Sequence, residues 1–476
     1  MLSAARPATA EVPSSRAPGA PARFAILGAG ITGLAAASEL RRLGHQVTVF
    51  EASDRAGGVI RSLRIGPWLH ECGPNSLLAA PGGSVQAVIA AAGLSDRACR
   101  AAQEARRRFI VRGGEVLEVP ASPGALIRSR LFSARGKLRL AAEPFQGRLA
   151  DPSVDESVAD FTRRRLGEEF LDYAVDPLVG GVYAGLPERL SLRSAFPKLA
   201  ALERDFGSLI MGAVRTRRAA AGPKGEMLSF PEGLEELPLA LARPLGESIR
   251  LRAPVSAVRP RGGKWELEFA RPDTPPAGAF DGVLCCLPIG PLSRLIVRRE
   301  EGDEQPFAAL SFPDVPPVVS ILTGFNRSDI AHPLNGFGLL VPRSEQRRIL
   351  GTLFSSTMFP QRAPAGQVAL TTFVGGARQP ELAALDDFSL IRMVEDELRL
   401  LLGASGPSTF AHVCRHSRAI PQYEIGYAQR VAEGAAAETR HPGLYFGGSP
   451  RDGISLTSCL ESGLRLAAAA ARATRP

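Results

Sequence analysis

The first residues whose types and spacing could do chemistry are the glycines of "GAGITG", residues 28–33. They follow an apolar run at 24–27 and precede an apolar stretch with the character of a helix. In a dinucleotide-binding turn the first glycine permits the bend and the second lets the backbone approach a pyrophosphate. The third lets the helix pack on the strand, and the helix N-terminus faces the phosphates. The alternative is an ordinary strand–helix turn of any α/β domain.

The residues that follow favour the dinucleotide interpretation. A second apolar strand, 47–50, ends at Glu51, whose carboxylate would accept hydrogen bonds from ribose hydroxyls and would repel the 2′-phosphate of NADP. A further glycine pair, Gly57 and Gly58, comes six residues later, between Arg55 and Arg61. Such a pair suits a long cofactor that continues past the first phosphate site, and therefore indicates a flavin nucleotide rather than a nicotinamide one.

A second glycine turn lies near the end of the chain. The segment "GLYFGGSPRDGISLTSCLESG", residues 443–463, has the pattern of an apolar strand, a turn and a helix. A helix N-terminus beside a flavin ring would stabilise the anionic reduced form. Two such turns at opposite ends of the chain predict one cofactor domain assembled from non-contiguous segments. The alternative here is another ordinary strand–helix turn.

Composition limits the class of partner. The 476 residues carry a formal charge of +9, mostly through arginine, which favours anionic partners such as lipid headgroups or carboxylated substrates. We find no aromatic platform or recognition motif for nucleic acid and expect no such partner. No apolar run reaches about 18 residues, so no spanning helix is expected. Residues 1–22 are rich in Ala, Pro, Ser and Arg and have no apolar centre, which indicates a disordered leader or an organelle transit peptide rather than a secretory signal.

The six cysteines show no paired spacing, which predicts a reducing compartment without structural disulfides or zinc. His412 and His416 flank Cys414 in the manner of a metal pair, but they lie in a segment with the pattern of a strand or turn. We therefore expect no metal site. Neither a Ser/His/Asp nor a paired-carboxylate constellation is apparent, so no side chain is predicted to act as a catalytic acid or base.

Taken in order, these motifs resemble the flavin amine oxidase superfamily and, within it, the oxygen-dependent protoporphyrinogen oxidases. The resemblance covers residues 23–470 or so, leaving out only the leader. The further segments that carry it are "ECGPNSLLA" (71–79), "RRFIVRGG" (107–114), "DPLVGGVYAGLPERLSLRSAFPKL" (176–199), "FPEGLEELPLAL" (230–241), "GFGLLVP" (336–342), "LGTLFSSTMFPQRAP" (350–364), "TTFVGGARQPEL" (371–382) and "RAIPQYEIGY" (418–427). Single motifs are moderately specific, whereas the ordered set is highly specific.

The resemblance implies a non-covalent FAD and a set of residues that contact it. Those residues are Gly28, Ala29, Gly30, Ile31, Thr32, Gly33, Glu51, Ala52, Arg55, Gly57, Gly58, Val59, Gly73, Pro74, Asn75, Ser76, Val255, Ser449, Ile454, Ser455 and Leu456. It also implies that Arg108 pairs with a substrate propionate and that Leu340, Leu353 and Phe373 line the cavity for the macrocycle. His416 departs from the family, which often has a tryptophan near the flavin at that position.

The activity implied by the resemblance is the six-electron oxidation of protoporphyrinogen IX to protoporphyrin IX in haem biosynthesis. It would proceed in three two-electron steps, with dioxygen as acceptor and hydrogen peroxide released. Coproporphyrinogen III is an alternative substrate that the residues do not exclude. Rival readings are another flavin oxidase or desaturase of the same fold, and a flavin-free chaperone that binds prenylated proteins.

The fold class expected is α/β: a Rossmann-like FAD-binding domain in non-contiguous segments, a mixed-sheet substrate domain and a helical membrane-associating domain. We place the segments at 1–22 (leader), 23–95, 208–300 and 411–476 (FAD domain), 96–207 (helical domain) and 301–410 (substrate domain). In "SRLFSARGKLRL", residues 129–140, apolar and basic residues alternate in a way that would suit anionic headgroups. We therefore expect a cytoplasmic protein in peripheral contact with a membrane, with organelle targeting left open, and the resemblance also suggests a homodimer.

Overall fold

The computed structural model describes residues 21–149, 151, 153–219, 225–311 and 315–474. The predicted leader over 1–22 therefore falls almost wholly outside the described residues. The strands are β1 (Arg23–Leu27), β2 (Gln46–Phe50), β3 (Ser62–Ile65), β4 (Trp68–Glu71), β5 (Leu77–Ala79), β6 (Cys99–Arg100), β7 (Phe109–Arg112), β8 (Glu115–Glu118), β9 (Glu226–Ser229), β10 (Ile249–Arg250), β11 (Val255–Arg261), β12 (Lys264–Phe269), β13 (Gly282–Cys285), β14 (Ile296–Arg299), β15 (Gly302–Glu304), β16 (Val318–Asn326), β17 (Gly338–Leu340), β18 (Gly351–Phe354), β19 (Gln367–Gly375), β20 (Phe410–His416) and β21 (Leu444–Phe446). The α-helices are α1 (Ile31–Arg42), α2 (Ser84–Ala91), α3 (Pro123–Arg128), α4 (Ala134–Ala141), α5 (Val158–Arg165), α6 (Glu168–Phe170), α7 (Asp176–Tyr183), α8 (Leu192–Ala195), α9 (Pro197–Phe206), α10 (Leu209–Ala219), α11 (Glu236–Ala242), α12 (Ile289–Ser293), α13 (Ser355–Met358), α14 (Asp387–Leu402), α15 (Tyr427–Arg440) and α16 (Leu456–Ala473).

A parallel sheet of five strands, ordered β10-β2-β1-β13-β21, holds the first glycine turn. Along β1, Phe24 and Ile26 enter a core that includes residues of α1 and α16, whereas Ala25 and Leu27 enter the core on the opposite face. Both faces are buried, which explains why the strand is apolar at every position. The sheet draws strands from the beginning, middle and end of the chain, so the prediction of a domain in non-contiguous segments is confirmed.

A mixed sheet of seven strands, ordered β20-β16-β19-β18-β17-β7-β8, forms the second unit. Its strands pair antiparallel except at β17–β7, which is parallel. One face packs on α14 through a continuous apolar core. The sheet takes in residues on both sides of the predicted 301–410 segment, because β7 and β8 precede it and β20 straddles its end. The domain boundaries themselves stay a prediction.

Helices α3 to α9 occupy much of the predicted helical segment, and a buried ion pair fixes α7 to the mixed sheet. The guanidinium of Arg378 donates to the carboxylate of Asp176 at 3.0 Å and to the carbonyl of Val341 at 2.7 Å. The carboxylate of Asp176 also accepts the backbone N–H of Arg343 at 2.8 Å. Among the described residues, every helix is too short or too polar to traverse a lipid bilayer.

The expectation of unpaired cysteines is wrong for one pair. Cys72, directly after β4, and Cys414, in β20, are joined by a disulfide with a Cα–Cα distance of 5.6 Å. They are separated by 342 positions in sequence, so their spacing along the chain carried no sign of the pairing. The contact arises because the end of β4 lies against the edge strand of the mixed sheet.

Candidate functional site

The first glycine turn has the geometry of an anion-binding site. Gly30 is the N-cap of α1, and its first turn has neither a side-chain cap nor an acidic residue, which leaves backbone N–H groups available to an anion. A Cβ added to Gly30 would meet nothing within 4 Å, whereas one added to Gly33 would lie 2.0 Å from the carbonyl oxygen of Gly28. Gly28 itself has φ +100°, which favours glycine. The backbone geometry of the three glycines is compatible with the roles that the spacing predicts, and their contact with a pyrophosphate stays a prediction.

Glu51 lies across this turn, as expected for a ribose-binding carboxylate. Its Oε2 accepts the backbone N–H of Ala29 at 2.8 Å, and its Oε1 accepts that of Ser53 at 2.9 Å. Each oxygen therefore keeps a lone pair for a further donor. Ala52 beside it is exposed, and Val255 is half-buried at the start of β11. That strand follows Ala253, whose N–H donates to the carbonyl of Glu51 at 2.8 Å.

The second glycine pair rests directly on the first turn. The N–H of Gly57 donates to the carbonyl of Ala29 at 2.9 Å, and a Cβ on Gly58 would lie 3.1 Å from the Cα of Gly30. Arg55 holds this loop together, since its guanidinium donates to the carbonyl of Gly58 at 2.6 Å and to Glu235 at 3.0 Å. The Val59 side chain is 59% exposed in the same loop. An exposed branched apolar side chain beside an anion site suits a ligand with an apolar body.

The C-terminal glycine turn meets the N-terminal one through helix packing. A Cβ on Gly463 of α16 would lie 2.3 Å from the carbonyl oxygen of Thr32 in α1, and one on Gly448 would lie 3.0 Å from the Thr32 hydroxyl. Ser455 caps α16 by accepting the N–H of Ser458 at 3.0 Å, and its side chain is exposed. The N-terminus of α16 is therefore open to a ligand. The preceding predicted contacts Ser449 and Ile454 are half-buried in the same turn, as is Leu456 at its first position.

The segment 73–76 completes the predicted cofactor contacts, and a buried arginine fixes it. A Cβ on Gly73 would lie 2.1 Å from the carbonyl oxygen of Val59, which brings this segment against the second glycine loop. Arg362, 1% exposed, donates to the carbonyl of Asn75 at 2.7 Å and to Glu71 at 3.1 Å. The side-chain oxygen of Asn75 is buried without a hydrogen-bond partner among the described residues. Such an oxygen points to a donor supplied by a ligand.

Burial alters the acid–base behaviour of that ion pair. It lowers the pKa of Arg362 to about 10, against the opposing effect of the Glu71 charge. It also raises the pKa of Glu71, an effect that Arg362 opposes. The Arg362 guanidinium stays charged at neutral pH and is a positioning group for the 73–76 segment. Sequence reasoning missed it, because one arginine in "FPQRAP" has no distinguishing neighbour.

The four predicted substrate residues are associated with one face of the mixed sheet. Leu340 in β17 lies opposite Gly351 in β18, which lies opposite Phe373 in β19, and Leu353 lies opposite Gly338. Residues two apart in a strand share a face, so the two leucines and the phenylalanine do so. All three are half-buried, while the alternating positions Leu339, Thr352, Phe354, Thr372 and Val374 are buried on the opposite face.

These apolar side chains share a face but have different immediate neighbours. Leu340 packs with the helical segment, and a Cβ on Gly181 of α7 would lie 2.5 Å from it. Leu353 packs with the cluster around Phe359, and Phe373 packs with the cluster around Leu350. The face is therefore bounded by α7 on one side and by the turn after β18 on another.

Arg108 lies at the margin of this face, directly before β7. The register of β7 with β17 continues to place it beside Gly338. Its guanidinium lies 5.2 Å from the centre of the Phe337 ring and donates to the carbonyl of Arg106 at 3.2 Å, and the residue is exposed. Arg107, by contrast, forms an ion pair with Glu118. Arg108 thus retains donors for a carboxylate, which fits its predicted role.

The residues present fit a flavin dinucleotide. The open Gly30 position, the uncapped α1 N-terminus and the unpartnered Asn75 oxygen all lie in segments that touch one another. An exposed Val59 adds an apolar contact. The individual contacts to the cofactor and the substrate stay predictions.

Comparisons with known proteins agree with this geometry. The family model described as flavin containing amine oxidoreductase matches residues 31–471. Protoporphyrinogen oxidase 2, chloroplastic/mitochondrial, of Arabidopsis thaliana is 33% identical over 94% of this chain and 93% of its own length. Coproporphyrinogen III oxidase of Bacillus subtilis is 27% identical over 92% of this chain and 95% of its own. The solved structure of an Exiguobacterium sp. 255-15 protein, provisionally named a protoporphyrinogen oxidase, superposes with a TM-score of 0.78 at 25% identity, covering 94% of this chain and 98% of that one.

The matched range 31–471 includes α1, the mixed sheet, the helices between them and the C-terminal glycine turn. The resemblance stated from the motifs is therefore confirmed. This chain belongs to the flavin containing amine oxidoreductase family, where its relatives include the protoporphyrinogen oxidases.

Proposed function

We propose that this chain is an FAD-dependent oxidase that converts protoporphyrinogen IX to protoporphyrin IX with dioxygen as acceptor, releasing hydrogen peroxide. One observation carries the proposal: a half-buried apolar sheet face is bounded by an exposed arginine, in a chain whose two glycine turns lie against each other at Thr32. A porphyrinogen is an apolar macrocycle with carboxylates at its edge, so it matches a face of this kind. The relatives named protoporphyrinogen oxidase support the choice of substrate.

The protein's own residues position the substrate and exclude water. Arg108 would hold a propionate through two parallel charged hydrogen bonds, and Phe373 would stack on a pyrrole ring. Leu340 and Leu353 would cover the macrocycle with apolar surface. The flavin, when bound, supplies the electron transfer from the substrate to dioxygen. No side chain is needed as an acid or base in this account.

The cofactor is proposed to be FAD, bound without a covalent link. The Glu51 carboxylate and the α1 N-terminus would hold its ribose and pyrophosphate. Cys459, the cysteine nearest to the C-terminal turn, is 8% exposed and its thiol donates to the carbonyl of Gly453 at 3.5 Å. Burial raises its pKa to about 11, which disfavours the thiolate that a tether would require.

The direct test is oxidation of each porphyrinogen in air. Purified protein would be mixed with protoporphyrinogen IX or coproporphyrinogen III at matched concentrations, and porphyrin fluorescence would be followed against protein-free autoxidation. We expect faster turnover of protoporphyrinogen IX. Faster turnover of coproporphyrinogen III would overturn the substrate assignment, and colourless protein without activity on either would favour the flavin-free chaperone.

We propose in addition a peripheral membrane contact through the helical segment. Ile127, Leu138 and Phe145 are 73%, 72% and 88% exposed, although each is a large apolar side chain. Arg128 and Arg135 are exposed and lie in α3 and α4, the helices that carry Ile127 and Leu138, and Phe145 lies in the turn after α4. Exposed apolar groups among cations are the pattern of a helix that lies on anionic headgroups.

Sedimentation with vesicles tests this contact. We expect the chain to bind vesicles rich in phosphatidylserine, and a variant with Ile127→Ser, Leu138→Ser and Phe145→Ser to lose most of that binding. The matched control is Phe388→Ser, which replaces a side chain 74% exposed at the start of α14, away from this segment. Equal binding of all three proteins would contradict the assignment.

A further inference from the structure

Two short segments of this chain have the same pattern, His-Xaa-Cys. One is "HEC", residues 70–72, which spans the end of β4, and the other is "HVC", residues 412–414, within β20. In extended backbone, side chains two positions apart point to the same face. Each segment therefore presents one imidazole and one sulfur together. The repeated pattern is therefore a sequence signal for a shared site.

The fold brings the two segments face to face. The ligand atoms of His70, Cys72, His412 and Cys414 all lie within 4.8 Å of one another. The two Nδ1 atoms of the histidines are 2.8 Å apart. His70 is fully buried and Cys72 is 3% exposed, whereas the two residues of β20 are half-buried. The cluster is thus enclosed on one side and reachable from the edge of the sheet.

Further contacts orient this cluster. The Nε2 atom of His70 lies 3.0 Å from the hydroxyl of Ser320, which sits opposite Cys414 in the neighbouring strand β16. Nε2 of His416 lies 2.7 Å from the carbonyl oxygen of Cys72. When the Ser320 hydroxyl accepts the Nε2 proton of His70, the Nδ1 atom of that ring is left free to ligate a metal.

We propose that the reduced chain binds one Zn²⁺ through Nδ1 of His70 and His412 and the sulfurs of Cys72 and Cys414. Two imidazole nitrogens and two thiolates are the donor set of structural zinc, which takes four such ligands in a tetrahedron. Soft thiolates disfavour Mg²⁺ and Ca²⁺, which take oxygen ligands. All four coordination positions come from the protein, so the metal is structural rather than catalytic.

The disulfide in the structure is the metal-free form of the same site. Two thiol molecules reduce it: the Cys72–Cys414 S–S bond breaks, each cysteine gains one electron and one proton, and the two thiols join as their own disulfide. Binding of Zn²⁺ then displaces the two cysteine protons to solvent. The thiol reductant thus supplies both electrons, and the oxidation state of Zn²⁺ does not change.

The site cross-links two parts of the fold that carry predicted ligand contacts. Cys72 leads directly into the 73–76 segment, and Cys414 lies in the edge strand of the sheet whose same face carries Phe373. In either form, the cross-link joins the dinucleotide side of the molecule to the substrate side. The reduced form without metal would lack that connection.

The experiment uses the purified protein with its bound flavin. The protein is reduced with a phosphine in the absence of thiols and is then titrated with Co²⁺, which serves as a spectroscopic probe for Zn²⁺. We expect a difference spectrum with tetrahedral d–d bands and a thiolate-to-metal charge-transfer band, saturating at about one Co²⁺ per chain and abolished by Zn²⁺. The same protein oxidised with diamide should give none of these bands. Metal analysis of reduced protein that was expressed in medium containing Zn²⁺ should likewise give about one Zn²⁺ per chain.

Variants separate this site from incidental metal binding. Cys414→Ser should abolish the Co²⁺ spectrum, whereas Cys99→Ser, which changes a free half-buried cysteine, should leave it unchanged. A reduced wild-type protein with no tetrahedral Co²⁺ spectrum and no Zn²⁺ would overturn the proposal, as would an unchanged spectrum in Cys414→Ser. If Cys414→Ser does not fold, the comparison of reduced and oxidised wild-type protein decides alone.

Discussion

A valine at position 30 should separate folding from cofactor binding. Gly30 has φ −72°, which any residue adopts, and a Cβ there meets nothing within 4 Å, so Gly30→Val should fold. Replacement of a glycine N-cap by valine costs at most about 1 kcal/mol. The side chain would occupy the space over the α1 N-terminus where a pyrophosphate would lie. Loss of one charged hydrogen bond is worth about 1.5–3 kcal/mol, or roughly 10- to 150-fold in the dissociation constant.

The assay compares three glycine variants by flavin absorbance per chain and by thermal unfolding. Gly30→Val should be folded and colourless, and Gly124→Val, at another position without neighbours within 4 Å, should be folded and yellow. Gly33→Val should fail to fold, since its Cβ would overlap the Gly28 carbonyl at 2.0 Å. A yellow Gly30→Val protein with unaltered flavin affinity would refute the assignment of the first glycine turn to the cofactor.

Three further predictions concern the substrate face and its supports. Arg108→Ala should keep its flavin and lose roughly 10- to 150-fold in kcat/KM, because it removes about 1.5–3 kcal/mol of charged hydrogen bonding to the substrate. Arg107→Ala should keep most of the activity, and equal losses in the two variants would remove Arg108 from the site. Arg378→Met should lower the free energy of unfolding, measured in urea, by about 3–5 kcal/mol, because it leaves the buried carboxylate of Asp176 without its ion-pair partner. The control Arg343→Met removes a half-exposed ion pair and should lower it by about 1 kcal/mol or less. Burial and two nearby arginines lower the pKa of His332 in the folded protein. The free energy of unfolding therefore does not depend on this group above its ordinary pKa of about 6.5, and decreases below that pH by up to about 1.4 kcal/mol per pH unit. His332→Asn should reduce this decrease in denaturant midpoints measured from pH 7.5 down to pH 5, and an unchanged slope would contradict the prediction.

The first strand–turn–helix unit could be predicted from the sequence because its backbone geometry is determined by residues close together in the chain. The roles predicted for Gly28, Gly30 and Gly33 follow from backbone geometry within six residues, and the structure gives each glycine the backbone geometry that its predicted role needs. Parallel strands buried on both faces are continuously apolar, so β1 was recognisable from four letters of sequence. Glu51 was identifiable because it ends the next strand of the same unit.

The disulfide, the role of Arg362 and the common face of the predicted substrate residues could not be predicted, because they depend on contacts between distant parts of the chain. Cys72 and Cys414 meet only because β4 ends against the edge strand β20, and no local spacing encodes that approach. Arg362 was missed for a similar reason, since its partners Glu71 and Asn75 lie far away in sequence. The common face of Leu340, Leu353 and Phe373 likewise requires the register of three strands, which a periodic pattern alone does not fix.

Anaerobic mixing of the yellow protein with protoporphyrinogen IX tests the central claim most directly. The proposed function predicts that the visible absorption of the flavin bleaches on mixing and returns when air is admitted, with porphyrin fluorescence appearing in step. Dithionite serves as the control that the flavin can be reduced at all. Flavin that dithionite bleaches but the porphyrinogen leaves oxidised would contradict the claim.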